Sequence, residues 1–202
     1  MVVGVLSFLS VFQSCDPDDD DHMLYKPNIY IYPKENIQLE VNIDFPMGGK
    51  VIASIPEYKT GWKVSVDSNG LIDNKYTFLF YESSQPDVWQ TKSGWMVKRD
   101  DLKGFFEENM ALYGFVGQEI KDFTDYWIPR LKNHESYSIC PQVLPAIDQV
   151  VRLRFSKQPE HILRLYYVLK GHDDSLKNEL VKPEISGFDR KGYFVTEWGV
   201  VL

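Results

Sequence analysis

Only two cysteines, Cys15 and Cys140, occur in the 202 residues, so the chain cannot be stapled into shape by a disulfide framework. Nor does any apolar run reach the roughly 20 residues that a bilayer-spanning helix needs. Lys and Arg number 22 against 29 Asp and Glu, and the basic residues form no cluster. A nucleic-acid binder needs a positive footprint on one face, so that class is excluded. There is no Gly-rich phosphate loop and no Ser-containing nucleophile elbow, and no internal repeat marks a solenoid or propeller. No spaced set of metal ligands and no cofactor fingerprint appears, so neither a metal nor a cofactor is expected.

What the chain does contain is a core. Apolar residues make up 44% and aromatics 14%, enough to bury a hydrophobic interior without staples. The net charge is −7, and most of it lies in one run, Asp16, Asp18, Asp19, Asp20 and Asp21. The remainder is close to neutral.

Residues Met1 to Ser14 carry no charge and are apolar for almost their whole length. The segment is too short to span a bilayer and has the length of a signal-peptide apolar region, with the small residue Ser14 before a cleavage point. No Lys or Arg precedes it. The stretch Phe12-Gln13-Ser14-Cys15 resembles a lipobox with Phe in place of the usual Leu. It predicts that Cys15 is acylated and becomes the mature N-terminus. The following aspartates resemble the acidic export signal of surface lipoproteins in Bacteroidota. The expected organisation is a signal peptide over 1–14, a lipidated Cys15 with an acidic tether over 15–26, and one α+β domain over 27–202. The expected location is the bacterial cell envelope, as an outer-membrane lipoprotein facing the surface, with the membrane as a partner through Cys15. Acyl chains contribute about 0.8 kcal/mol per buried methylene, so a multiply acylated Cys holds a protein to a membrane without a spanning helix.

From Pro27 the texture changes. Ile29 to Tyr32 reads as a strand buried on both faces, and Ile37, Leu39, Val41 and Ile43 alternate with polar residues. Val51 to Ile55 is a further short strand. Trp62, Val64 and Val66 alternate too, and Asn69-Gly70 suits a tight turn, so the spacing predicts a hairpin over 62–81. Trp89 to Val97 predicts a second hairpin, turning near Ser93-Gly94. The period then becomes helical through Leu102, Phe105, Phe106, Met110 and Tyr113, with Asp100 or Asp101 as cap and Gly114 as stop. A second helix carries Ile120, Phe123, Trp127 and Leu131 on one face, with Pro129 near its end. Strands return over 151–155, 162–169 and 193–198. The sum is an α+β fold: a mostly antiparallel β-sheet with a helical hairpin inserted between two groups of strands.

Five segments together resemble a family of uncharacterised bacterial and fungal proteins. They are Lys26-Pro27-Asn28-Ile29-Tyr30-Ile31-Tyr32-Pro33, Gly61-Trp62, Leu79-Phe80-Tyr81-Glu82, Tyr126-Trp127-Ile128-Pro129 and Glu197-Trp198-Gly199. Val200 stands where a second Gly is expected. The resemblance spans residues 26–199 and implies no assigned activity.

Glu82 and Glu197 each end an aromatic strand. Two carboxylates among aromatics is the layout of a glycosidase, with one acid and one base or nucleophile, and equally of a sugar cleft without catalysis. A strand-end Glu also commonly pairs with an Arg, here Arg164 or Arg190. Tyr81, Trp198 and Arg164 are the candidate ligand contacts. Cys140 with His134, His161 or His172 is the nucleophile option, set against a buried inert thiol. His172-Asp173-Asp174 reads as a solvated loop rather than a metal site. The expected role is an envelope-anchored binding or interaction module for a glycan or protein ligand; the alternative is a glycan hydrolase using Glu82 and Glu197.

Overall fold

Alternating burial builds the strands over Ile37–Asp44 and Trp62–Val66, while Phe194–Val201 is buried along its whole length. The computed structural model describes residues 21–173 and 180–202, so Cys15, the signal segment and four of the five clustered aspartates lie outside the described residues. The chain runs through β1 (Asp21–Tyr32), β2 (Ile37–Asp44), β3 (Lys50–Ile55), β4 (Trp62–Val66), β5 (Leu79–Pro86) and β6 (Trp95–Lys98). Next come α1 (Leu102–Tyr113) and α2 (Gln118–Trp127), then β7 (Ser136–Val143), α3 (Ala146–Val150), β8 (Arg152–Phe155), β9 (His161–His172) and β10 (Phe194–Val201). The fold is α+β. A seven-stranded sheet has the order β3-β5-β1-β10-β9-β7-β6, and a three-stranded sheet the order β4-β2-β8. All neighbours are antiparallel except β9 and β10, which run parallel.

Side chains alternate across the large sheet, so each of its central strands feeds two cores. On one face Tyr30, Leu165, Tyr167 and Trp198 pack against Phe106 and Met110 of α1 and Phe123 and Trp127 of α2. On the other, Ile29, Ile31, Leu79 and Val195 pack against Leu39, Val41, Trp62 and Val64 of the small sheet and Ile147 of α3. The result is three layers: helices, large sheet, small sheet. Helix α1 ends where expected. Gly114 adopts φ 110°, and its N–H returns to the Met110 and Ala111 carbonyls. Neither Asp100 nor Asp101 caps α1, because a 3-10 turn over Arg99–Asp101 leads into it and no side-chain cap bond forms.

Three sequence expectations change. Residues 21–26, read as tether, are the first half of β1, and Leu24 there is fully buried. The 62–81 hairpin does not form. The Asp67–Gly70 turn is real, with Gly70 N–H donating to the Asp67 carbonyl, but the chain returning from it is Leu71–Asp73, whose Ile72 bridges Val66. β4 pairs with β2 in the small sheet, while β5 lies between β1 and β3 in the large one. The second hairpin is absent as well: β6 pairs with β7, and Gly94 N–H donates to the Val181 carbonyl. Strand β7 and the short α3 lacked a clear period in the sequence. Pro141 lies in β7 beyond its last pairing with β6, where a strand keeps one free edge.

Candidate functional site

Glu197 and Arg164 are cross-strand neighbours on β10 and β9, facing the small sheet. Both side chains are wholly buried and form an ion pair through Arg164 Nε and Glu197 Oε2. Tyr81 hydroxyl donates to Glu197 Oε1 at 2.9 Å, and Tyr166 hydroxyl to Glu197 Oε2 at 2.9 Å. Arg164 Nη1 donates to Asp148 Oδ1 and to the Val151 carbonyl, each at 2.6 Å, and Nη2 to the Tyr166 hydroxyl at 2.6 Å. Burial opposes the guanidinium's charge, but Glu197 beside it holds the Arg164 pKa well above the ordinary value. Burial, reinforced by Glu197, pushes the Tyr81 hydroxyl far up, and burial does the same to Tyr166. Trp62 and Trp89 close over the two tyrosines edge-on.

This constellation is a satisfied interior, and it corrects the carboxylate pair read from sequence. Glu82 follows Tyr81 on β5 and therefore points to the opposite, helix-side face. Glu82 and Glu197 do not flank a common space, and no glycosidase geometry exists between them. The ligand contacts fare the same way. Tyr81 and Trp198 are 0% exposed and Arg164 is 1% exposed, so none can touch a ligand. Trp198 stacks edge-on to Phe123 in the helix-side core.

A second buried carboxylate, Glu119 on α2, was not singled out in the sequence. It accepts hydrogen bonds from Tyr32 on β1 at 2.8 Å, from Thr196 on β10 at 2.6 Å and from the Val116 N–H at 2.8 Å. Arg190 grips both its oxygens, at 3.0 and 3.1 Å. Five donors on one carboxylate tie α2 and the approach to β10 onto the sheet.

Cys140 is buried, and burial raises its thiol pKa. It pairs with Val168, whereas His172 pairs with Ser136 four residues along the same ladder. Four strand residues span about 13 Å, so no Cys–His dyad forms. His134 bonds Asp173, and His172 bonds Ser138. Asp174 lies outside the described residues. Among the described residues no group of three or more His, Cys, Asp or Glu side chains could hold a metal ion. Also among them, no helix is long and apolar enough to cross a membrane.

The open feature lies on the helix side, at Lys26. The register of β1 slips between Tyr25 and Asn28, and Lys26 adopts φ 57° within this bulge. A left-handed conformation is uncommon for a residue with a β-carbon and marks a position worth functional attention. The bulge turns the lysine out of the ladder. Its Nζ lies 4.8 Å from the Phe78 ring centroid, 4.6 Å from that of Phe80 and 5.4 Å from that of Tyr126. Asn28 Oδ1 accepts from it at 3.2 Å. Burial lowers the Lys26 pKa against the pull of Asp122 and Glu82, while three ring faces favour the charged form. Beside Tyr126, the Arg130 guanidinium stacks 3.7 Å from the ring centroid.

Lys26, Phe78 and Tyr126 are shared by two adjoining hollows. One, of about 420 Å³, also takes in Ile55, Lys75, Tyr76 and Phe80. The other, of about 290 Å³, reaches Asp122, Asp125 and Arg130. Together they form a groove floored by aromatic rings. The sequence signal for it was present: aromatics recur at every second position in Tyr76, Phe78 and Phe80, and Lys26 and Tyr126 belong to two of the quoted segments. No protein-family model, curated protein or solved structure matches this chain.

Proposed function

We propose that this protein is a cell-envelope-anchored binding module whose ligand site is the Lys26 groove. The anchor in this reading is lipid on Cys15, placing the domain at the outer membrane and facing the surface. The pair α1 and α2 is read as a helical hairpin inserted between two groups of strands, with α2 supplying Tyr126 to the groove. The observation that carries the reading is the half-buried aromatic floor around Lys26. Small-molecule and glycan sites are concave, mostly apolar and fitted with a few polar groups, and this groove has that make-up. The buried charges of Glu197, Arg164 and Glu119, by contrast, hold strands and helix together. The resemblance to the uncharacterised bacterial and fungal family implies no activity and leaves the ligand open.

A glycan array probed with the purified domain tests the site. The expected result is binding to a subset of glycans that Tyr126→Ala abolishes while the thermal midpoint stays near that of the parent. Binding that survives Tyr126→Ala places the site elsewhere, and no binding to any glycan removes the glycan form of the proposal. Intact mass of the native protein tests the anchor: a chain starting at Cys15 and carrying acyl mass is expected, and an unacylated Cys15 would reject it.

A further inference from the structure

We infer that the ligand of the Lys26 groove is an acidic glycan, with a sugar carboxylate received by Lys26 and Lys75 and the sugar ring lying on the aromatic floor. The inference rests on the groove being the ligand site, and it specifies the ligand's chemistry. Two lysines line the larger hollow, with no carboxylate among its lining residues. Lys75 is exposed, with its Nζ 4.8 Å from the Tyr76 ring centroid. Among the described residues neither lysine has a carboxylate within ion-pair distance. The acids at the neighbouring hollow are already engaged. Asp122 accepts from the Tyr30 hydroxyl at 2.9 Å and from Gln118 at 2.6 Å, and Asp125 pairs with Lys121.

Lys26 is the telling residue. A half-buried ammonium that has rings on several sides and one amide oxygen keeps donor capacity free. An incoming carboxylate would use it in a partly dehydrated setting, where a charge-assisted hydrogen bond gains most. Aromatic side chains suit the C–H side of a pyranose ring, and Phe78, Phe80, Tyr76 and Tyr126 line the hollow around the lysine and give such a ring apolar surface to lie against. A neutral glycan would use the rings and bring no charge to the two lysines. A carboxylate-bearing sugar uses both.

The test is titration calorimetry of the whole domain with trigalacturonate and with the same trisaccharide fully methyl-esterified, in which each carboxylate is capped by a methyl group and loses its charge. Acid binding is expected, weakened by rising salt, with the ester at least about tenfold weaker. Lys26→Met and, separately, the exposed Lys75→Met should each weaken the acid by about tenfold and leave the ester unchanged. Lys63→Met, on the small sheet and paired there with Glu40, should change neither. If acid and ester bind equally and both are lost with Tyr126→Ala, the groove remains the ligand site and the acidic assignment is overturned. If neither trisaccharide binds, or an acidic peptide binds where the trisaccharide does not, the assignment is likewise overturned.

Discussion

Replacing Glu197 with Gln keeps the shape of the side chain and deletes one charge from the buried pair. Oε1 still accepts the Tyr81 hydroxyl. The amide that replaces Oε2 now points donors at Arg164 Nε and the Tyr166 hydroxyl, both of which donate in the parent. Removing one partner of a buried ion pair costs about 3–5 kcal/mol. The low end applies here, because Asp148 still grips Arg164 from a side chain that is 41% exposed, and the Val151 carbonyl remains. A loss of about 3 kcal/mol lowers the thermal midpoint of a domain this size by about 6–12 °C. Urea unfolding followed by tryptophan fluorescence reads it as a lower midpoint at unchanged slope. Adding Arg164→Met should restore part of the loss, since the double variant buries no unpaired charge. A loss under about 1 kcal/mol for Glu197→Gln, or a double variant as poor as the two single losses together, would refute the view that this pair is a committed interior element.

Other outcomes follow from the same coordinates. Gly199→Ala should cost about 1–2 kcal/mol in urea unfolding, because a β-carbon there meets Leu24 Cδ1 and Tyr166 Cδ1 at 3.1 Å and Pro27 Cγ at 3.3 Å. Alkaline stability should fall once pH passes about 10: Tyr81, Tyr166 and Tyr167 have folded pKa values raised by burial, so the unfolded chain loses their protons first. Their stabilising contribution is complete below the unfolded pKa and declines above it by about 1.4 kcal/mol per pH unit for each tyrosine, and a urea midpoint constant from pH 9 to 11 would contradict this. Cys140 should resist a thiol reagent at neutral pH in the native protein and label fully in urea, as site-resolved mass spectrometry would show, whereas rapid native labelling would mean the thiol is accessible.

Local period was enough to place β2, the two main helices and the last strand, because each carries its own burial pattern: Leu39, Val41 and Ile43 inward on β2, Leu102, Phe106 and Met110 inward on α1. What it could not supply was partner choice. Trp62 to Val66 and Leu79 to Tyr81 both read as strands flanking a turn, and nothing within them says that one joins β2 and the other β1. That choice is made by packing across layers, since Trp62 and Tyr81 meet ring to ring from different sheets. The start of β1 was hidden for a similar reason. His22 to Lys26 is polar enough to pass for tether, and only pairing with Val201 on one side and Ser83 on the other draws Leu24 into the interior. Glu119 escaped notice because its five donors come from four separate parts of the chain.

The quoted segments divide along the pleat of the large sheet. Ile29, Tyr81 and Glu197 turn toward the small sheet, where they close the ion-pair core. Phe80 turns the other way with Lys26, which the bulge releases, and meets Tyr126 from α2 at the surface. A single residue step on β5, from Phe80 to Tyr81, therefore crosses from groove wall to buried clasp. The two sides are mechanically joined: Asn28, beside Lys26, pairs with Trp198, which is next to Glu197 on β10. Lys26 lies beside a β1–β10 pairing that the Arg164–Glu197 pair braces, so its positive φ and its place over three rings are expected to depend on that brace. The groove's geometry therefore depends on charges that no ligand ever reaches, and a binding defect in an Arg164 or Glu197 variant is expected to appear as a displaced Lys26 before it appears as a lost contact.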